Sequence, residues 1–359
     1  MNNYISMSAD DRRSYCEEAA GKLRLPAPSI EKDFWVCWTL RELFTLPEWG
    51  QHLTFKGGTS LAKAWKLIER FSEDIDLVIG RDFLGFDGEN SPDHAPSKKQ
   101  QKKRLDDLKT VCRQRIRELL QPSFLDLLVE RLPKGLSWKL ERDDNDPDDQ
   151  TLLFKYPAAF PGASYIQPVV KIELGARSDT EPSAAQNIQP YLAEAFPDIL
   201  HSGAFTVQTV SAERTFWEKA MLLHEETYRP PGKPRKARLA RHYYDLWCLI
   251  TKGVSVRAIA NSGLFDRVAA HRAIFFNWTW MDYSTLRPGA LRIVPLDHQI
   301  KEWRLDYDSM RREMFFGEVP SFEEVLRVVG EFERRFNEKQ STPRISARHI
   351  EKMPLGGKE

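Results

Sequence analysis

The stretch Leu53–Gly80, LTFKGGTSLAKAWKLIERFSEDIDLVIG, decides how the rest of the chain is read. A short apolar run, Leu53 to Phe55, meets the double glycine Gly57-Gly58 and the pair Thr59-Ser60. A helix-like segment follows from Leu61 to Glu69, and a second apolar run opens with Asp74 and Asp76. The pattern predicts a strand, a turn, a helix and a strand. Side chains two positions apart on a strand share a face, so Asp74 and Asp76 present their carboxylates together while Ile75 and Leu77 point away. Adjacent carboxylates repel, and a divalent cation relieves a pair held on one rigid strand. Mg²⁺ suits the pair, because it takes one or two carboxylates and keeps its other positions for water and substrate phosphates. The Gly57 to Ser60 turn supplies the other half of a nucleotide site. Its glycines allow close approach of a phosphate, the first helical amides point at it, and the Thr59 and Ser60 hydroxyls can donate to it.

GGTSLAKAW followed by RFSEDIDL resembles the nucleotidyltransferase fold of the DNA polymerase β superfamily, with its Gly-Gly/Ser turn and Asp-x-Asp on the next strand. Within that superfamily it looks most like the AbiEii/AbiGii family, the toxin half of bacterial abortive-infection and toxin-antitoxin pairs. A double glycine and a DxD each occur by chance in many chains; here order, spacing and strand context agree. On the residues alone, a tight turn with a solvated acidic strand end is the plain alternative. The resemblance covers most of residues 30 to 250. It implies an α/β (α+β) fold: a polymerase β-like domain with a mixed sheet over residues 1–211, then an α-helical C-terminal domain over 212–340. Residues 341–359 read as a disordered tail, since no periodic pattern runs through them.

Composition bounds the function. A chain of 359 residues with 41% hydrophobic and 29% charged residues is an ordinary globular protein. A net charge of +1 gives no bulk attraction to nucleic acid, so polyanion binding has to come from local clusters. Cys16, Cys37, Cys112 and Cys248 are scattered without metal-ligand spacing and read as reduced thiols. With no signal pattern and no run long enough for a membrane span, the sequence reads as cytoplasmic.

Ahead of the central stretch, Ser8 to Leu46 reads as two helices broken at Pro26 and Pro28, the second packing its apolar stripe beneath the nucleotide turn. Lys32 on it either approaches the site or is solvated, the commoner outcome for a lone Lys on a helix. Residues 81–97 are rich in Gly, Pro, Asp and Ser and read as a loop over the site. A basic helix follows from Lys98 to Arg117, with Leu105, Leu108, Ile116 and Leu119 as a narrow apolar stripe. It is either a solvated face or a surface for an RNA backbone. Leu136–Glu141 and Thr151–Tyr156 form a hairpin around an acidic loop, which lacks the glycine and glutamate of an EF-hand.

In the strand Pro168 to Leu174, Lys171 and Glu173 share one face. A polymerase β-type site needs a third carboxylate on a neighbouring strand to help hold metal and take the proton from the attacking hydroxyl, and Glu173 is the candidate. VVKIELGARSDTEPS also resembles the family's second motif, which puts Lys171 with the nucleotide-binding residues; an exposed Lys-Glu pair is the alternative. Arg177 is a phosphate contact or a turn residue. After a Pro- and Ala-rich connection and a strand at Phe205 to Val210, a helix opens at Ala212. The basic, Pro-interrupted segment Arg229 to Arg241 leads into the next helix and, like Lys98 to Arg117, is either a solvated basic face or a surface for an RNA backbone. These helices resemble the family's third and fourth motifs. By that resemblance Lys219 contacts the triphosphate and Asp245 fixes the lysine or the nucleotide; a salt bridge between helices with no ligand is the alternative. Two further apolar stripes, Ile259 to Ile274 and Phe322 to Phe332, read as core. The aromatics Phe275 to Trp280 could stack a base, with burial as the default.

The reading is thus a Mg²⁺-dependent transfer of a nucleoside monophosphate from an NTP. The metal ligands are Asp74, Asp76 and Glu173. Gly57, Gly58, Thr59, Ser60, Lys171 and Lys219 hold the nucleotide, and Asp245 supports Lys219. The resemblance implies RNA, particularly the tRNA 3′ end, as acceptor, and an antitoxin encoded alongside. A small-molecule acceptor, or a module that binds NTP without chemistry, are the rival classes.

Overall fold

The computed structural model describes residues 1–160, 167–198, 200, 203–311, 314–315 and 319–338. The expected tail lies outside these. Helices α1 (Asn2–Ile5), α2 (Ala9–Leu23) and α3 (Ala27–Thr45) come first, followed by β1 (Leu53–Lys56), α4 (Gly57–Lys63) and β2 (Ile75–Ile79). Next are α5 (Lys98–Arg115), a π-type turn at Ile116–Leu120, and α6 (Gln121–Arg131). The strands β3 (Lys139–Arg142), β4 (Thr151–Lys155), β5 (Val169–Gly175) and β6 (Ser183–Ile188) then lead through α7 (Tyr191–Ala195) to β7 (Phe205–Val210). From there the named elements are helical: α8 (Ala212–Thr227), α9 (Arg241–Thr251), α10 (Val254–Ala260), α11 (Leu264–Phe275), α12 (Asp297–Arg311) and α13 (Phe322–Glu338).

The strands form one mixed sheet of seven in the order β3-β4-β5-β2-β1-β7-β6. β1 runs antiparallel to β2, with Lys56 opposite Asp76, and β2 runs parallel to β5, with Asp76 opposite Glu173. Buried apolar side chains gather in two clusters. One joins α3 to the sheet; the other joins Leu61 and Ile68 to the helices after Ala212.

The central unit departs from expectation in its helix. α4 begins at the glycines and ends at Lys63, well short of Glu69. Lys66 takes a left-handed φ of 52°, which stops the helix, and Trp65 turns in to donate from its indole nitrogen to the Val210 carbonyl at 3.0 Å. The freed segment 64–74 crosses to the helical half and carries Arg70 there. Gly57 has φ 82°, and a Cβ on it would lie 1.9 Å from Asp76 Oδ2. No other residue fits that turn without moving the carboxylate.

α3 is buried on nearly every side rather than along one stripe, because it lies between the sheet and α2 and α7. Its charged residues are therefore paired. Glu31 accepts from the Ala159 amide at 2.6 Å, and Asp33 from Lys63 and from the Tyr191 amide, both at 2.7 Å. Lys32, expected in solvent, is buried, donates to the Gln167 carbonyl and pairs with Glu73 at 3.1 Å.

Other differences have local causes. β6 falls where the sequence suggested an irregular connection. It is an edge strand, and its order comes from pairing with β7 along its whole length. The basic helix buries Leu108, Cys112, Ile116 and Leu120, while Leu119 is exposed. The π-type turn resets the helical phase just before it. In α10 and α11, Phe265 and Val268 are buried but Ile259 is 38% exposed. The acidic loop of the β3–β4 hairpin is turn chemistry: Asp146 accepts from the Asp148 and Gln150 amides and from Thr151.

Candidate active site

Where β1 ends and β2 begins, a cleft of about 340 Å³ opens between the sheet and α8, α9 and α11. Gly57, Gly58, Asp74, Asp76 and Glu173 line one wall; Lys219, Arg241, His242 and Arg272 line the other. A second cavity of about 490 Å³ shares Lys56, Asp76, Glu173, Ser178 and Phe276 with it, and adds Lys171 and Asp146. The carboxylates therefore form a ridge between two connected hollows. A roomier concavity, about 620 Å³, lies between α10 and α13 and contains none of these groups.

Asp74 is open to water just before β2, and Asp76 is half-buried on it. The protein around Asp76, reinforced by Glu173, pushes its carboxyl up to about 7, with Lys56 opposing. Asp76 and Glu173 stand opposite each other in the β2–β5 register, which brings their like charges together. Asp74 is raised as well, first by its surroundings and then by Glu173 and Glu73. Lys171 holds Glu173 at 2.6 Å, with both side chains partly exposed.

Among the described residues, no three acidic, imidazole or thiol side chains stand together as a closed metal cage. The donor set nevertheless suits a hard divalent cation. It is all carboxylate oxygen, and the like charges of Asp74, Asp76 and Glu173 raise Asp74 and Asp76, a repulsion that such a cation would relieve.

The far wall is a network. Arg70 donates to both oxygens of Asp245, at 2.7 and 3.0 Å, and Lys219 reaches the same carboxylate at 2.8 Å. Burial alone would raise the Asp245 carboxyl, but Arg70 and Lys219 together hold it far below the carboxylate range. Burial and the nearby Arg70 outweigh Asp245 at Lys219, whose ammonium is lowered. Burial, Lys219 and Arg241 keep His242 neutral. The expected Lys219–Asp245 salt bridge is present, and Lys219 also faces the cleft.

Thr59 and Ser60 are buried and do not line the cleft. Thr59 donates to the Asp74 carbonyl, and Ser60 to the Gly57 carbonyl at 2.9 Å. Their hydroxyls brace the turn instead of facing a phosphate. Residues 81–97 line neither hollow. Sequence reasoning missed Lys56, Arg70 and Arg272, and had Arg241 only as the end of the basic stretch 229–241. Lys56, the residue before the double glycine and opposite Asp76, was the one with a readable signal. Its ammonium donates to Ser178 at 2.6 Å.

The family model described as "Nucleotidyl transferase AbiEii toxin, Type IV TA system" matches residues 38–328, a span that includes both walls of the cleft. The protein is a nucleotidyltransferase. It belongs to the AbiEii family of type IV toxin-antitoxin toxins, which implies an NTP substrate, divalent metal use and a cognate antitoxin. Among solved structures, MenT4, a nucleotidyltransferase toxin from Mycobacterium tuberculosis H37Rv, has 16% identity, covers 94% of this chain and 97% of its own, and gives a TM-score of 0.43. No curated protein matches the chain. Among the described residues, no helix is long and apolar enough to cross a membrane.

Proposed function

We propose that this toxin works in the cytoplasm with Mg²⁺, moving a nucleoside monophosphate from an NTP onto RNA, with the tRNA 3′ end as the acceptor the family resemblance suggests. The observation that carries the reading is the register of β2 with β5, which sets Asp76 beside Glu173, with Asp74 two residues away and Lys219 across the cleft. Asp74, Asp76 and Glu173 would hold Mg²⁺. When bound there, the metal would supply positive charge that offsets the negative charge developing on the triphosphate.

The chain's own groups do the rest. The Gly57-Gly58 backbone, free of side chains, lets phosphates approach. Lys219, fixed by Asp245, meets the triphosphate, whose anionic oxygens supply the charge that burial denies its ammonium. Glu173 accepts the proton of the attacking hydroxyl. That oxygen bonds to the α-phosphorus, the α–β bridging bond breaks, and pyrophosphate leaves. Lys171, paired with Glu173 at 2.6 Å, orients it. We also propose two domains, residues 1–211 and 212–340, in line with the two apolar clusters. The site then lies between them.

The test is to incubate the protein with each α-labelled NTP, Mg²⁺ and total RNA, beside small hydroxyl acceptors. RNA labelling with pyrophosphate release supports the reading. Labelling of a small acceptor alone, or NTP binding without pyrophosphate release, overturns it.

A further inference from the structure

Phe276 borders both hollows of the cleft, and a short way along the chain Trp278 and Trp280 stack on each other, with centroids 5.7 Å apart and planes 16° apart. Trp278 is 43% exposed, which is unusual for the largest apolar side chain. Lys233 lies over both rings, at 5.9 and 5.7 Å, and Arg229 lies over Trp280 at 5.3 Å. Further along the same basic segment, Lys236 lines the outer hollow, and Arg238 and Arg241 line the cleft. Two chain segments, 229–241 and 276–280, thus both reach from the carboxylates to the tryptophan pair.

The segment is irregular, as its prolines and glycine predict, but anchored. Asp306 accepts from the Arg238 and Ala240 amides at 2.7 and 2.8 Å, and Glu226 holds Arg229 and Arg235. Lys233 and Lys236 form no ion pair among the described residues. Exposed ammonium groups beside an exposed aromatic face are what a single strand of nucleic acid needs. The charges follow its phosphates, and the ring stacks a base whatever its identity. A duplex would have to unpair first, because its base faces are covered.

We infer that these two segments form an acceptor track that takes the unpaired end of an RNA strand. A base stacks on Trp278, phosphates run past Lys233 and Lys236, and the terminal hydroxyl arrives at Glu173. This rests on the proposed transfer to RNA, and it adds that the acceptor must be single-stranded for several nucleotides.

The experiment uses the full chain and a fluorescent RNA oligonucleotide, presented as a single strand and as a blunt duplex. Binding without NTP is measured by anisotropy, and transfer by labelled NTP. Trp278→Ala should weaken single-strand binding about 5- to 100-fold and raise the RNA KM to match, with kcat unchanged at saturation and duplex binding unaffected. Trp278→Phe should restore most of the loss, since a smaller ring still stacks. Unchanged single-strand binding in Trp278→Ala overturns the track, as does an equal loss for strand and duplex. If no RNA is ever labelled but binding shows the expected pattern, the track stands and the transfer reading fails.

Discussion

Arg70 grips both oxygens of Asp245, and Lys219 shares that carboxylate, so a residue from the loop before β2 and one from α8 depend on a single buried anion of α9. Asp245→Asn leaves two buried cations without a counter-charge, which costs about 3–5 kcal/mol of stability. Lys219→Met removes one cation and keeps the bidentate Arg70–Asp245 pair, so its cost should be clearly smaller. Urea unfolding of both variants checks the order. An Asp245→Asn protein as stable as the parent would contradict the network.

Asp76 behaves in the opposite sense. Its carboxyl crowds Glu173, so Asp76→Asn should leave folding stability unchanged or raised while transfer falls about 1,000-fold or more, as expected when metal-held charge stabilisation of several kcal/mol is lost. Thermal melting beside pyrophosphate release measures both. Retained activity in this variant would remove Asp76 from the metal site.

Glu173 and Lys219 face each other across the cleft and should separate in kinetics. Glu173→Gln keeps the side chain's shape and lowers kcat far more than NTP affinity, since it removes the proton acceptor while Asp74 and Asp76 still hold the metal. Lys219→Met weakens NTP binding, because its ammonium is already engaged in the ground state. Calorimetric titration of NTP into each variant is the check. The same loss of affinity in both would make Glu173 a structural residue.

The sequence exposed those parts of the site that local spacing determines. Asp76 and Glu173 lie on strands whose alternation fixes their face, Asp74 directly precedes β2, and Lys219 was named through the family resemblance rather than through spacing. It could not show that Thr59 and Ser60 turn inward, because that depends on the carbonyls of Asp74 and Gly57 lying within their reach. Arg70 was hidden for a different reason. Its place follows from the early stop of α4 at the left-handed Lys66, which no periodicity announces, and from a partner far along the chain. β6 was missed because SAAQNI has no apolar alternation and owes its order to β7. Lys32 was misread because α3 is covered on faces that a single helix cannot reveal.

His224 contributes one separable part of the pH dependence of folding, beside His242, His271 and Asp76. Buried in α8, it accepts from the Arg292 amide at 2.8 Å through Nδ1 and meets Thr285 Oγ1 at 2.9 Å through Nε2. Burial pulls its pKa from 6.5 down to about 4. The unfolded chain therefore binds the proton first as the pH falls. This contribution is fully present above about pH 6.5, declines as the pH falls toward 4, and amounts to on the order of 3 kcal/mol. His224→Gln should flatten the stability curve across that window, measured as urea midpoints at several pH values. An unaltered slope would show that His224 does not titrate with folding.

The two basic stretches should part company in salt. Lys102 and Lys103 of α5 line neither hollow, and Lys103 is paired with Asp107 at 2.7 Å, so α5 fits a solvated face. Lys236 lines the outer hollow, and Lys233 lies over the tryptophans. Arg235 is unsuitable for neutralisation, because it packs on Trp303 and pairs with Glu226 and Glu302. The informative variants are therefore Lys102→Ser with Lys103→Ser, and Lys233→Ser with Lys236→Ser. Each phosphate contact on a single strand contributes about 0.7 to the slope of log affinity against log salt. The second pair should flatten that slope by roughly 1.4 and weaken RNA labelling at low salt, whereas the first pair should leave both unchanged. NTP binding should survive in each, since none of the four residues touches the carboxylate ridge. A loss confined to the α5 pair would move the RNA surface to α5 and return the segment 229–241 to a structural role.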